Sequence, residues 1–206
     1  MQRHPISAFC KRALDFVVAV AGLIALSPLL LAIALAIRVT MGTPVFFRQV
    51  RPGYHARPFT VVKFRTMKGD VPAIIDTSQD AARLTKLGRF LRAVSIDELP
   101  QLWNVLTGDM SLVGPRPLLT EYLEHYSPGQ ARRHEVKPGI TGWAQVNGRN
   151  AATWERKLAL DVWYVDHQSF WLDLRIIAMT IWKVLSREGI SQEGHVTTEK
   201  FGAPRD

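Results

Sequence analysis

The chain has 206 residues, enough for one compact globular domain with one additional element. Its net charge of +8 points to an anionic partner, for which nucleic acid, acidic lipid and a phosphorylated substrate all qualify. A single cysteine, Cys10, excludes an intrachain disulfide and a multi-cysteine metal site, and the 6 histidines lack the spacing of a zinc site.

The first element is apolar. No charged residue stands between Asp15 and Arg38. A straight helix over 16–37 would reach about 33 Å, roughly one hydrocarbon core. Ser27-Pro28 interrupts it: the proline lacks an amide donor and clashes with the carbonyl four residues back, so the helix should bend. The Ser27 hydroxyl can satisfy a freed carbonyl there. Arg3, Lys11 and Arg12 precede the segment, and Arg38, Arg48, Arg51 and Arg57 follow it. Positive charge stays on the cytoplasmic side of a membrane. A re-entrant hairpin keeps both clusters there, whereas a true span puts one on the wrong face. A buried core helix is the third reading, and it fits less well because such helices seldom stay uncharged this long. A cleaved signal peptide is not expected, because the small-residue cleavage pattern is missing.

Further along, 44–49 reads as an apolar strand, 51–54 as a turn and 59–65 as a second strand, so a β-hairpin is expected. Residues 68–82 read as a loop, 84–93 as a short basic helix, and Ser95 as the start of another that stops at Gly108. Gly114-Pro115-Arg116-Pro117 breaks the chain, and 118–126 resumes helix. Lys137-Pro138-Gly139 opens a glycine-rich loop to Asn150, and helices follow over 154–165 and 172–187. No alternating βα units are present, which argues against a Rossmann or P-loop domain. Five of the 6 tryptophans (143, 154, 163, 171 and 182) lie between residues 143 and 182, around the last two helices. They suit either a core or a seat at the membrane interface.

The chemistry should centre on Asp97-Glu98. Ser95 with Glu98 fits a capping box, or Asp97 is itself the cap with Pro100 in the first turn; either way the helix dipole favours an ionised Asp97. An ionised carboxylate is a competent nucleophile or magnesium ligand. An isolated Asp-Glu pair is more often an ordinary helix start, but its company is unusual. Lys63, Arg65, Arg92, Arg116 and Arg149 all lie near Gly or Pro in turn contexts, and Arg116 is stiffened between two prolines. Asn147-Gly148-Arg149-Asn150 permits close approach of backbone to ligand. Cations converging on two carboxylates, bridged by Mg²⁺, suit diphosphate chemistry.

These residues carry a resemblance. Lys11-Arg12-Ala-Leu-Asp15, Ser27-Pro28, the Phe-Arg-Gln-Val-Arg-Pro-Gly run ending at Gly53 and Lys63-Phe-Arg-Thr-Met67 follow one another in order. So do the run from Leu91 through Asp97-Glu98 to Leu102, Asn104-Val-Leu-Thr-Gly-Asp109, Gly114-Pro-Arg116-Pro and the stretch from Pro138 to Arg149. Together they resemble the bacterial sugar transferases, the small monotopic phosphoglycosyl transferases, over nearly the whole chain. The resemblance implies transfer of a phosphosugar from a UDP-sugar to polyprenyl (undecaprenyl) phosphate, with release of UMP and a need for Mg²⁺. It implies a ping-pong mechanism through a covalent phosphosugar on Asp97, and Glu98 as partner acid, metal ligand or base. Lys63, Arg92 and Arg116 fall at phosphate contacts; Arg149 is added from its loop. The fold it implies is α+β and mostly helical: residues 1–40 form a re-entrant membrane helix-hairpin bent at Ser27-Pro28. Residues 41–206 form a catalytic domain with a short β-hairpin and interfacial amphipathic helices, facing the cytoplasm at the bacterial inner membrane. No separate regulatory domain is expected, and pairing of two copies is left open. A nucleic-acid partner is not expected, for want of a recognition-helix or RNP-like pattern. A purely structural scaffold would leave Asp97-Glu98 and its cations without a use.

Overall fold

A computed structural model describes residues 5–69, 80–148, 153–186 and 201. Arg149, most of the expected 68–82 loop and most of the polar tail lie outside the described residues.

Helix α1 (Pro5–Ala25) and helix α2 (Ser27–Met41) meet at Leu26 with a bend of 62°. Pro28 sits in the first turn of α2, where a missing amide donor costs least, and Ser27 Oγ donates to the Ile24 carbonyl at 2.8 Å. No single described helix is long and apolar enough to cross a membrane, but the bent pair together is. Phe9, Val17, Ile24, Leu31, Leu35 and Val39 stand exposed along it.

Strands β1 (Phe46–Pro52) and β2 (Pro58–Phe64) form the expected antiparallel hairpin, in register Phe47↔Lys63 and Arg51↔Phe59. Helices α3 (Asp80–Arg83) and α4 (Lys86–Ala93) follow, then a 3-10 turn (Ile96–Glu98) and α5 (Gln101–Thr107), which ends at Gly108 as expected. Beyond it run β3 (Ser111–Val113), a 3-10 segment (Thr120–His125), α6 (Pro128–Ala131), another 3-10 turn (Arg132–Glu135) and β4 (Gly139–Thr141). Helices α7 (Trp143–Asn147), α8 (Trp154–His167) and α9 (Phe170–Leu185) complete the described elements.

Two differences from the sequence reading stand out. The region after Lys137 holds strand β4 and helix α7 where a loop is expected, and β4 pairs with β3 in parallel. Both strands have only three residues, too short for any periodicity to show. Their glycines are set by contact. A Cβ on Gly139 would lie 2.1 Å from the Gly114 nitrogen, and one on Gly114 would lie 2.3 Å from the Lys137 carbonyl oxygen. The segment expected as helix over 118–126 is a 3-10 run.

One core joins Ala19 of α1 to Leu102 and Val105 of α5, Met110, Tyr164 of α8 and Ile176 of α9; a second joins Ile33 and Ile37 of α2 to Phe64 and Leu91. The first turns of α1 are fastened by charge as well. Lys11 Nζ contacts Asp173 at 2.6 Å and donates to the Val113 carbonyl, and Arg12 donates to the Val105 and Leu106 carbonyls at the end of α5. Buried Asp15 accepts from the Leu112 amide and the Ser111 hydroxyl. Lys11 and Arg12, read from sequence as membrane-flanking charges, thus have partners inside the protein. The aromatics divide between packed and exposed positions. Trp143 stacks on Trp163 at 4.8 Å, while Trp171 and Trp182 of α9 are 77% and 68% exposed, too open for a core role.

Candidate active site

The hairpin, the Ile96–Glu98 turn and the stretch after β3 converge on one acidic pair. Asn104 on α5 fastens the hairpin: its Oδ1 accepts from the Val62 amide at 3.1 Å, and its Nδ2 donates to the Thr60 carbonyl at 2.8 Å. Both bonds hold the strand immediately before the position that carries Lys63. A polar residue on the inner side of a short apolar helix was the available signal for Asn104, and its role needed the fold.

Glu98 is clamped. Lys63 Nζ lies 2.6 Å from its Oε1, and Arg116 contacts both carboxylate oxygens, Nη1 reaching Oε2 at 3.1 Å. Burial alone would raise the Glu98 pKa, but Arg116 and Lys63 hold it well below the usual carboxylate range. Burial in turn lowers the Lys63 pKa, opposed by Glu98, and Glu98 raises that of Arg116. The Arg116 side chain remains 44% exposed, so the clamp leaves part of its guanidinium open to a ligand.

Asp97 is held differently. It is 9% exposed, and among the described residues its carboxylate accepts no hydrogen bond. Its pKa is pushed up to about 6, chiefly by burial and next by the Glu98 charge, against the pull of Lys63, Arg92 and Arg116. At neutral pH it is therefore ionised, desolvated and unclamped, which favours nucleophilic use. The expected capping box does not form. Ser95 lies in the left-handed region at φ 56° with no side-chain cap bond, and the Glu98 side chain turns to Lys63 and Arg116. Nor is Asp97 the cap of α5, which begins four residues later behind Pro100. The dipole expected to favour the charged form is thus displaced, and burial dominates. Strain at Ser95, on the order of 1–2 kcal/mol, is of the kind that persists where surrounding structure enforces it.

The sequence-derived cations separate into three groups. Lys63 and Arg116 hold Glu98. Arg92 acts on Asp97 through its charge while its Nε donates to Thr66 Oγ1 at 3.0 Å. Arg65 does not join the site: it donates to the Thr43 and Gly42 carbonyls at 2.9 and 3.0 Å, and to that of Met41, closing the end of α2. Residues the sequence reading missed support Arg116 from behind. Arg133 Nη2 donates to the Arg116 carbonyl at 2.7 Å and to Asp161 at 2.7 Å, with both side chains almost fully buried. Their 28-residue separation leaves no local signal.

A magnesium site can be tested against this donor set. Among the described residues, no group of three or more His, Cys, Asp or Glu is placed to hold a metal. Mg²⁺ usually takes one or two carboxylates and completes its shell with water and substrate phosphates. Asp97 has free oxygens for that purpose; both Glu98 oxygens are already engaged. The residues fit an ion that arrives with a phosphorylated substrate.

Residues 6–187 match the bacterial sugar transferase family. The chain is 57% identical to the uncharacterized sugar transferase EpsL of Bacillus subtilis, across 95% of this chain and 97% of that protein. It is 46% identical to the UDP-glucose:undecaprenyl-phosphate glucose-1-phosphate transferase of Caulobacter vibrioides, over 86% of this chain and 70% of the relative. With the Escherichia coli protein of that same name identity is 43%, over 86% of this chain but only 40% of the relative. The chain thus spans about two fifths of the Escherichia coli relative and nearly all of EpsL. With a match running from α1 to the end of α9, the chain belongs to the bacterial sugar transferase family.

Proposed function

We propose that this protein transfers a sugar 1-phosphate from a UDP-sugar to undecaprenyl phosphate, as the names of its Caulobacter and Escherichia coli relatives describe for them. The observation that carries the reading is the contrast within one acidic pair: Glu98 clamped by two cations, and Asp97 buried, ionised and free. In the first half-reaction an Asp97 carboxylate oxygen bonds to the β-phosphorus. The bond from that phosphorus to the bridging oxygen breaks, and UMP leaves with the electron pair. In the second half an oxygen of the lipid phosphate bonds to the same phosphorus, and Asp97 leaves as the free carboxylate. An ionised Asp97 that accepts no hydrogen bond among the described residues supports this ping-pong order, in which one nucleophile serves the two substrates in turn.

Lys63, Arg92 and Arg116 balance the charge that builds on the transferring phosphate, and Arg149 is proposed as a further phosphate contact. Glu98 keeps Lys63 and Arg116 in place between turnovers. Asp97, with Glu98 beside it, would hold Mg²⁺, which when bound neutralises diphosphate charge. The bent α1–α2 pair, with its exposed apolar side chains, would enter the inner leaflet from the cytoplasmic side and return. Such an entry would bring Asp97, whose neighbour Ile96 packs against the Ile33 and Ile37 cluster of α2, toward the plane where a polyprenyl phosphate headgroup lies.

The test is UMP release from a panel of UDP-sugars, with and without undecaprenyl phosphate, in Mg²⁺ and in EDTA. Lipid-dependent turnover with one sugar that EDTA abolishes, and that Asp97→Asn abolishes as well, supports every part. Turnover at the wild-type rate in Asp97→Asn would remove the nucleophile, and turnover unchanged in EDTA would remove the metal.

A further inference from the structure

We propose that Arg51 is a further ligand-binding residue of this site and holds the phosphate of the donor that departs with the nucleotide; the proposal rests on the UDP-sugar reading above. Exposure alternates along β1: Phe46, Arg48 and Val50 are exposed, while Phe47, Gln49 and Arg51 are half-buried. Paired residues of an antiparallel ladder share a face, as do residues two apart. The pairs Arg51↔Phe59 and Phe47↔Lys63 therefore put Arg51, Gln49 and Lys63 on one face of the hairpin. Arg51 lies four strand positions, about 13 Å, from the row that carries Lys63.

Its partners set it apart. Lys63 and Arg116 share Glu98, and Arg133 has Asp161. Arg51 Nη2 donates to Gln49 Oε1 at 2.5 Å, and among the described residues it forms no ion pair with a carboxylate. The turn after it packs against the site: Pro52 and Gly53 line a narrow crevice with Pro115, Arg116 and Pro117. Burial, and next the Arg116 charge, lowers the Arg51 pKa to about 10. Glu121 acts on Arg51 only at a distance, with no direct ion pair among the described residues, so two guanidinium groups so placed form a site that an anion would relieve.

The occupant follows from position. The largest charge effects on Asp97 come from Glu98, Lys63, Arg92 and Arg116, and Arg51, four strand positions from the Lys63 row, is not among these. An acceptor with a single phosphate must bring that phosphate to the reacting centre beside Asp97. A donor with two phosphates has a second one, away from the reacting phosphorus, and that second phosphate is what Arg51 can hold. Charge building there as UMP leaves strengthens the contact.

The experiment uses the full chain in lipid nanodiscs, with the UDP-sugar that the wild type turns over. Arg51→Ala should raise the KM for the donor about tenfold and leave the KM for undecaprenyl phosphate unchanged, with Arg51→Lys between it and wild type. Binding of UDP alone to the Asp97→Asn protein should weaken about tenfold when Arg51→Ala is added. Gln49→Leu keeps the charge but removes its guide, and should raise the donor KM severalfold; it decides the matter if Arg51→Ala fails to fold. A donor KM and UDP affinity within twofold of wild type would overturn the proposal. A rise confined to the acceptor KM would also overturn it, by assigning Arg51 to the lipid phosphate. If the wild type releases no UMP from any UDP-sugar, the donor reading falls, and the UDP-binding arm still decides whether Arg51 contacts the nucleotide phosphates.

Discussion

Replacing Asp97 with Asn should destroy catalysis and make the protein more stable. The buried carboxylate has its pKa raised from 3.8 to about 6, so ionising it in the folded state costs free energy that the unfolded chain does not spend. At about 1.4 kcal/mol per pH unit, the cost is about 3 kcal/mol at neutral pH. The sign follows from proton binding. Between pH 3.8 and 6 the folded state holds the proton that the unfolded state has lost, so the penalty is complete above about pH 6 and fades as pH falls toward 4. For a chain of this size, 1 kcal/mol moves Tm by about 2–4 °C, which sets a ceiling of about 12 °C. The Asn amide still lacks a partner in the same place, which offsets part of the gain, so about 5 °C is expected. Tryptophan fluorescence during thermal unfolding in one detergent, at pH 7.5 and at pH 4.5, measures the difference directly. The gap between Asp97→Asn and wild type should be positive at pH 7.5 and nearly closed at pH 4.5. A variant that melts at or below the wild type at pH 7.5 would refute the picture of Asp97 as a desolvated charge.

The same pKa shift governs rate. UMP release in the first half-reaction, followed as a single turnover without acceptor lipid, should have a second-order rate constant that falls tenfold per unit below about pH 6, because the protonated Asp97 carboxyl has lost its nucleophilic form. A profile flat to pH 5 would count against Asp97 as nucleophile. Arg133→Ala leaves Asp161 buried without its partner and frees the Arg116 carbonyl, and should cost about 3–5 kcal/mol, read as a Tm lower by about 10 °C; a loss under 2 °C would show that the pair is not buried as described. Gly88→Ala should sharply reduce UMP release in a protein that still folds. Its Cβ would lie 1.9 Å from the Thr66 carbonyl oxygen, which forces α4 away and breaks the Arg92–Thr66 contact. Wild-type activity in Gly88→Ala would mean that the placement of Arg92 by Thr66 does not matter to the reaction.

Much of this protein was legible in its sequence, wherever the signal is local. The Ser27-Pro28 break, the hairpin strands and the stop at Gly108 each follow from a proline, an alternating run or a glycine acting on its own neighbourhood. The pair Asp97-Glu98 and the cations Lys63, Arg92 and Arg116 could be named from residue type and turn context. Their division of labour could not. Glu98 is the clamped acid and Asp97 the free one because Lys63 and Arg116, 35 and 18 residues away along the chain, arrive on one side of a 3-10 turn. A capping box was the local expectation, and tertiary cations outbid it for the Glu98 side chain. Arg65 resembles Lys63 in sequence, two residues away, yet points to the end of α2 and leaves the site. The β3–β4 pair, the Arg133–Asp161 support and the Asn104 brace are likewise long-range contacts between short elements, and short elements carry no periodicity to read. The sequence by itself determined which groups stand as candidates for the chemistry, because side-chain type is local; only the tertiary structure decided which of them are paired, buried or free, because pKa and reactivity depend on neighbours that the chain brings from a distance.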